Sequence, residues 1–345
     1  MIIKPRILLS LTAVLLALSV HRAGAWDYEG HRIVNQLALA SLPRDFPDFV
    51  RPAAAAERIA FLSGEPDRWR SVRDLPLRHV NGPDHYIDLE QLSDYGLSPE
   101  KLPLLRYDFV AQLARVRTAH PERFAPIAAE MDADHTRELV GLLPWAITEN
   151  CEKLKAVFGY LKAYQDAGGT PEEVANAQAN AVYIMGVMGH FVGDGSQPLH
   201  TSIHHHGWVG ANPRGYTTNY SFHQWIDGEY FRKTGGLKLE TMAAKIQPAT
   251  AVGDPARPDT LFRAVVAFLS DENKMVEPLY QLERDGKLSA QGDKGLEGKA
   301  FLEAQLVKAG QMLGDLWLTA WKQAPVDAYL ERQLALRKSA GGDSK

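Results

Sequence analysis

Apolar residues recur at helical spacing along most of this chain. From His31 to Leu42, Ile33, Val34, Leu37 and Ala40 fall on one face, the stripe of a core-facing helix. Tyr107 to Thr118 and Glu149 to Tyr164 repeat that spacing, and the second stretch stops at Gly168-Gly169. Thr170-Pro171-Glu172-Glu173 then combines a threonine cap, a proline at the first helical position and a glutamate at the third. This capping box predicts a helix running through Tyr183 and Met188 to about Asp194. Thr260 to Leu269 and Leu296 to Lys322 predict two more core helices. No sustained alternation suits a large sheet, and no repeat or linker divides the chain. The pattern predicts an all-α fold, with residues 26–345 as one compact helical domain. The stretches 62–84 and 203–222, rich in Gly, Pro and polar residues, are expected as surface loops near a site.

The first 25 residues follow a different pattern. Lys4 and Arg6 precede an apolar run from Ile7 to Val20, and Ala23 and Ala25 supply small residues at cleavage spacing. This predicts a signal peptide cut after Ala25, hence a secreted or periplasmic protein. No later run is apolar and long enough for a transmembrane segment. Cleavage would take the 38 basic residues to 35 against 42 acidic ones, net −7. That argues against a long basic groove tracking a phosphate backbone, though not against a short anion held by local charge. The single cysteine, Cys151, excludes an internal disulfide and is expected as a small buried hydrophobe. No obligate protein partner is implied.

One stretch carries the chemistry: HFVGDGSQPLH, residues 190–200. On a helix His190 and Asp194 sit one above the other. Pro198 cannot continue that helix, so the chain turns and His200 can face another point in space. FHQWID repeats the four-residue gap with His223 and Asp227. Two such pairs and an intervening histidine, on an otherwise apolar helix, would be costly to bury without a cation. Imidazole and carboxylate are usual zinc ligands where cysteine is lacking. A mature chain beginning WDYEGH adds a chelate from the Trp26 amine and its own carbonyl, with His31 within reach. GEPDRWR contributes Asp67 and Arg70, and DHYIDLE contributes His85, Tyr86 and Asp88.

These motifs resemble the S1/P1 nuclease family, within the superfamily that includes zinc-dependent bacterial phospholipases C. WDYEGH is similar to its WxxxGH start, HYID to its His-aromatic-Ile-Asp motif, HFVGDGSQPLH to HxxGDxxQPLH, and FHQWID to its HxxWD-type ending. The resemblance spans Trp26 to Asp227 and implies a helical fold with a cleft holding three Zn²⁺. By position, it implies one zinc on Asp67, His85, His190 and Asp194. A second would take Trp26 and His31, bridged by Asp194, and a third His200, His223 and Asp227. Asp67 would orient a metal-activated hydroxide. Arg70 would meet the phosphate, or be an ordinary surface arginine. Tyr86 and Asp88 would contact a base, or serve as core residue and helix cap. Asn212 would replace a family asparagine in the substrate loop.

The implied activity is a zinc-dependent phosphodiesterase acting on single-stranded DNA, RNA or nucleotides. One alternative is a phospholipase C acting on phospholipid head groups; another is an inactive exported zinc-binding protein. The stretch around 95–145 reads as an insertion that lids the cleft, reshapes it or adds inert bulk. The His204–His206 run is a loop cluster that binds adventitious metal or lines the cleft, with solvent exposure expected for at least two of the three, and Trp208 is a candidate substrate contact.

Overall fold

In the computed structural model, which describes residues 26–342, the amphipathic stretches are helices. The expected signal peptide lies outside the described residues. The chain runs through α1 (Tyr28–Ser41), α2 (Ala53–Leu62), α3 (Glu65–Ser71), α4 (Leu75–Asn81) and α5 (Arg106–Ala119). Two long helices follow, α6 (Leu143–Ala167) and α7 (Pro171–Ser196). Short helices α8 (Phe222–Gln224) and α9 (Tyr230–Lys233) flank a π-helical turn at Trp225–Glu229. The rest is α10 (Leu239–Ala243), α11 (Asp259–Asn273), α12 (Val276–Arg284), α13 (Leu296–Lys322) and α14 (Ala328–Gly342). Among the described residues the only β pairing is three isolated bridges. The all-α expectation therefore holds.

α7 begins as its sequence requires. Thr170 accepts from the Glu173 amide, and the Glu173 carboxylate accepts from the Thr170 amide. It runs two residues past the expected end, to Ser196. The 62–84 stretch is not a plain loop. Pro66 and Pro76 each stand in the first turn of a short helix, where a missing N–H costs nothing, and start α3 and α4. Residues 203–221 are irregular, as their composition predicts.

α1, α2, α6 and α13 surround α7. Small residues let them approach. A side chain at Gly189 would lie 1.6 Å from Asn35 Oδ1 on α1, so only glycine fits. Asn35 then donates to the carbonyls of Ile59 (2.7 Å) and Gly186 (3.0 Å), joining α1, α2 and α7 in the interior. One apolar cluster runs from Trp26 to Ala320 and includes Tyr95, Leu102, Phe109, Leu113 and Val140. The 95–145 stretch thus contributes side chains to the core.

Candidate metal centre

α7 carries His190 and Asp194 into the interior, where both are fully buried. α1 supplies His31, whose ring stacks on His190 with centroids 4.0 Å apart. A β-carbon on Gly193 would sit 2.7 Å from His31 Nδ1, so the glycine makes room for that ring. Gly193→Ala is expected to displace His31 and destabilise the fold by about 1–3 kcal/mol, read by urea denaturation. A midpoint within error of wild type would show that the ring has slack.

Two triplets of polar atoms repeat one geometry. In the first, His190 Nδ1 donates to the Ser63 carbonyl (2.8 Å), which leaves its Nε2 as a lone pair. That Nε2 faces His85 Nδ1 at 2.9 Å and Asp194 Oδ2 at 3.4 Å. His85 Nδ1 is also 2.9 Å from Asp194 Oδ2. In the second, His200 Nδ1 donates to the His85 carbonyl (2.6 Å), and its Nε2 faces His223 Nε2 at 3.1 Å. His223 Nε2 lies 3.2 Å from Asp227 Oδ2. The π turn between α8 and α9 sets Asp227 beneath His223, and Gln197 Nε2 holds its other oxygen at 2.8 Å. In each triplet a single N–H, on His85 Nδ1 or His223 Nε2, would have to be divided between two acceptors. A cation among the lone pairs would satisfy all three groups at once.

The orphaned atoms point the same way. Both ring nitrogens of His31, His85 Nε2, Asp194 Oδ1, His223 Nδ1 and Asp227 Oδ2 are buried without a hydrogen-bond partner. Each such atom costs about 1–3 kcal/mol if left so. Protonation does not resolve this. Burial drives His31 down to about 3 and His190 and His200 to about 4, with His85 and His223 also well below their usual value. Neutral imidazoles with preset tautomers are the state that ligates a divalent cation. Burial raises Asp194 to about 6 and pushes Asp227 well up. Burial would raise Asp67 too, but Arg70, His190 and His31 outweigh it and hold it at about 2.

Two overlapping groups of side chains can hold a metal ion: His85, His190 and Asp194, and His31, Asp67 and His190. Asp194 joins them, lying 3.4 Å from His31 and 4.0 Å from His200. Asp67 is partly exposed at the edge, 3.8 Å from His190, with Arg70 on its Oδ1 at 2.6 Å. The Trp26 indole donates to the Gly193 carbonyl (3.0 Å) and Ser196 Oγ (3.2 Å). The next amide, Asp27, donates to the Asp227 carbonyl at 3.1 Å. The start of the described chain is thereby fastened to α7 and to the turn that carries Asp227.

A cavity of about 390 Å³ opens onto His85, His200 and His223. Arg70, Tyr86 and Asp88 also line it. Asp88 is buried, with one oxygen unpartnered, and burial and then Glu90 raise it to about 7. A larger cavity of about 870 Å³ beside Arg106, Trp145 and Glu149 contains none of these histidines.

Asn212 does not line the cavity. Its amide is spent on both backbone groups of Tyr216, so it staples its own loop. Trp208 is packed among His204, Tyr216 and Tyr280 and bonds the Ala211 carbonyl, which makes it the loop's small core. His205 and His206 are half-buried and line the cavity, because His206 stacks on Tyr220 at 4.2 Å and turns inward. Sequence reasoning assigned no role to Ser63, whose carbonyl gives no signal in a side-chain pattern. It also passed over Gln197, which stands inside the quoted stretch. The 95–145 stretch walls the cavity through Met131, Asp134, Thr136, Arg137 and Leu139.

Among the described residues no helix is long and apolar enough to cross a membrane. Compared with family models and with curated proteins, the chain matches none of them.

Proposed function

We propose that this protein is an exported zinc-dependent phosphodiesterase acting on single-stranded nucleic acid or nucleotides. The observation that carries this reading is the pair of buried His-His-Asp triplets, in each of which a backbone carbonyl sets one histidine's tautomer and turns its lone pair toward the other two groups. Together with the motif resemblance, it favours three Zn²⁺ on the nine residues named above. Bound divalent cations lower the pKa of water and neutralise charge on phosphoryl oxygens.

The chain's own groups do the rest. Asp67, ionised throughout the working range, is a hydrogen-bond acceptor at the edge of the cage, fit to orient a water molecule. Arg70, paired with Asp67 through Nε and a terminal nitrogen, brings positive charge to the cavity wall, which suits a phosphate. Asp194 ties His31, His85 and His190 into one cluster. The partly buried Tyr86 ring and Asp88 lie beside the cage, apolar face and hydrogen-bonding group together, as a nucleobase requires.

The direct test uses protein beginning at Trp26, offered single-stranded DNA, RNA, 3′-AMP and phosphatidylcholine, with and without a chelator. Chelator-sensitive cleavage of the nucleic acids or nucleotide is expected. Hydrolysis of the lipid alone would establish the phospholipase reading instead. A protein that binds three zincs and hydrolyses nothing would be the inactive binding protein.

A second test concerns the amino terminus. Leaving one extra residue ahead of Trp26 converts its amine to an amide, a far poorer ligand. Zinc content is expected to fall from three to two per chain and cleavage by at least about tenfold, about 1.4 kcal/mol in the barrier. Unchanged zinc content and rate would remove Trp26 from the ligand set.

A further inference from the structure

The cavity carries cationic side chains that the metal cage does not use. Arg78 is paired with Asp134 at 2.8 Å. Arg137 is exposed, lines the same cavity, and makes no ion pair among the described residues. Its Nε donates to the Met131 carbonyl at 3.1 Å, which leaves the ends of its fork for another acceptor. Its charge reaches His205 and His206, which burial lowers and Arg137 lowers further, and it opposes the rise that burial gives the Tyr86 hydroxyl.

The loop that holds Arg137 is built rather than loose. His135 sits at φ 53°, the only non-glycine residue among those described with a positive φ. That conformation costs about 1–2 kcal/mol and persists only where the surroundings impose it. Here they do. His79 Nδ1 donates to the Asp134 carbonyl (2.7 Å), and Thr136 Oγ1 to Asp134 Oδ1 (2.9 Å). The Arg137 amide donates to Asp132 Oδ1 (3.0 Å), and the His135 amide to the Asp132 carbonyl (3.0 Å). With the Arg78 ion pair, these bonds fasten the loop to α4 and fix where the Arg137 side chain starts. Neither acid lining the cavity pairs with it: Asp134 is taken by Arg78, and Asp88 lies 3.9 Å from His205.

We propose that Arg137 determines specificity by receiving a second phosphate, on a strand whose neighbouring phosphodiester lies at the histidine cage. This rests on the phosphodiesterase reading and deepens it: the preferred substrate is an oligonucleotide, bound by two adjacent phosphates, not a mononucleotide or a singly charged head group. An arginine fork supplies paired donors to a phosphate, which a lysine does not.

The test compares a dinucleoside monophosphate with the same dinucleotide carrying an added terminal phosphate, using zinc-loaded protein. In wild type the added phosphate is expected to lower KM about tenfold, about 1.4 kcal/mol. Arg137→Gln is expected to abolish that advantage while kcat/KM on the unphosphorylated dinucleotide stays within about twofold. Arg137→Lys is expected to restore part of the advantage, because charge returns without the fork. An equal loss on both dinucleotides, a retained advantage, or a loss confined to phosphatidylcholine vesicles overturns the proposal. If wild type cleaves neither dinucleotide, the phosphodiesterase reading fails. Arg137 is then judged by equilibrium binding of thymidine 3′,5′-bisphosphate against the 3′-monophosphate. Selective weakening of the bisphosphate by about tenfold in Arg137→Gln supports the second anion subsite. Equal binding of the bisphosphate to wild type and variant overturns it.

Discussion

Stripping divalent cations with a chelator is expected to lower the melting temperature by at least about 8 °C at pH 7.5, and added Zn²⁺ to restore it. The size follows from linkage. A ligand at 1,000 times its Kd stabilises the folded state by about 4 kcal/mol, and each kcal/mol moves the melting point of a domain this large by about 2 °C. One site suffices for that figure, and three would exceed it. The physical source is the interior round α7. Without a cation, orphaned atoms on His31, His85, Asp194, His223 and Asp227 stay buried with no protein partner. The measurement is a thermal melt with elemental analysis of the same sample. Identical melts with and without chelator, and no metal by analysis, would mean that the triplets are held by packing alone.

Asp194→Asn is expected to give effects of opposite sign in the two states. In zinc-loaded protein it removes the acid joining His31, His85 and His190, so at least two metals should be lost and hydrolysis should fall by about 1,000-fold or more, about 4 kcal/mol. In chelated protein it should stabilise. Burial raises the folded pKa of Asp194 from 3.8 to about 6. A raised carboxyl costs nothing below the unfolded value. Its cost grows as pH rises between the two values and is complete above the folded one. At pH 8 the asparagine therefore removes a penalty of up to roughly 3 kcal/mol, and at pH 3.5 none. Urea denaturation of chelated wild type and variant at both pH values reads this. A variant less stable than wild type in the chelated state at pH 8 would make Asp194 a structural residue rather than a ligand.

Much of the cage was legible as spacing. A four-residue gap on a helix stacks two side chains whatever surrounds them, so His190–Asp194 and His223–Asp227 could be read as pairs before any fold was known. The capping box at Thr170 fixed where α7 begins, and Pro198 where it must end. Other features had no such local signature. Asn35 looks like an ordinary helix-surface residue until Gly189 lets α1 close on α7. The prolines at 66 and 76 read as loop signals, yet each opens a helix, because the same fixed φ that breaks an interior turn suits a first one. Asn212 matched a substrate-loop asparagine by position, but the turn at Tyr216 consumes its amide.

The sequence by itself determined the helical class and the two His/Asp pairs, because both depend on side-chain direction within a few residues of one backbone. Only the tertiary structure decided that the pairs share one buried site. That depends on groups more than a hundred residues apart: Ser63 and His85 offering carbonyls to His190 and His200, Gly193 yielding space to His31, and Trp26 bound along α7. It also decided that Arg137 faces the cavity. That placement comes from a strained turn tied to α4, and hydrogen bonds between separate segments leave no periodic trace in either one.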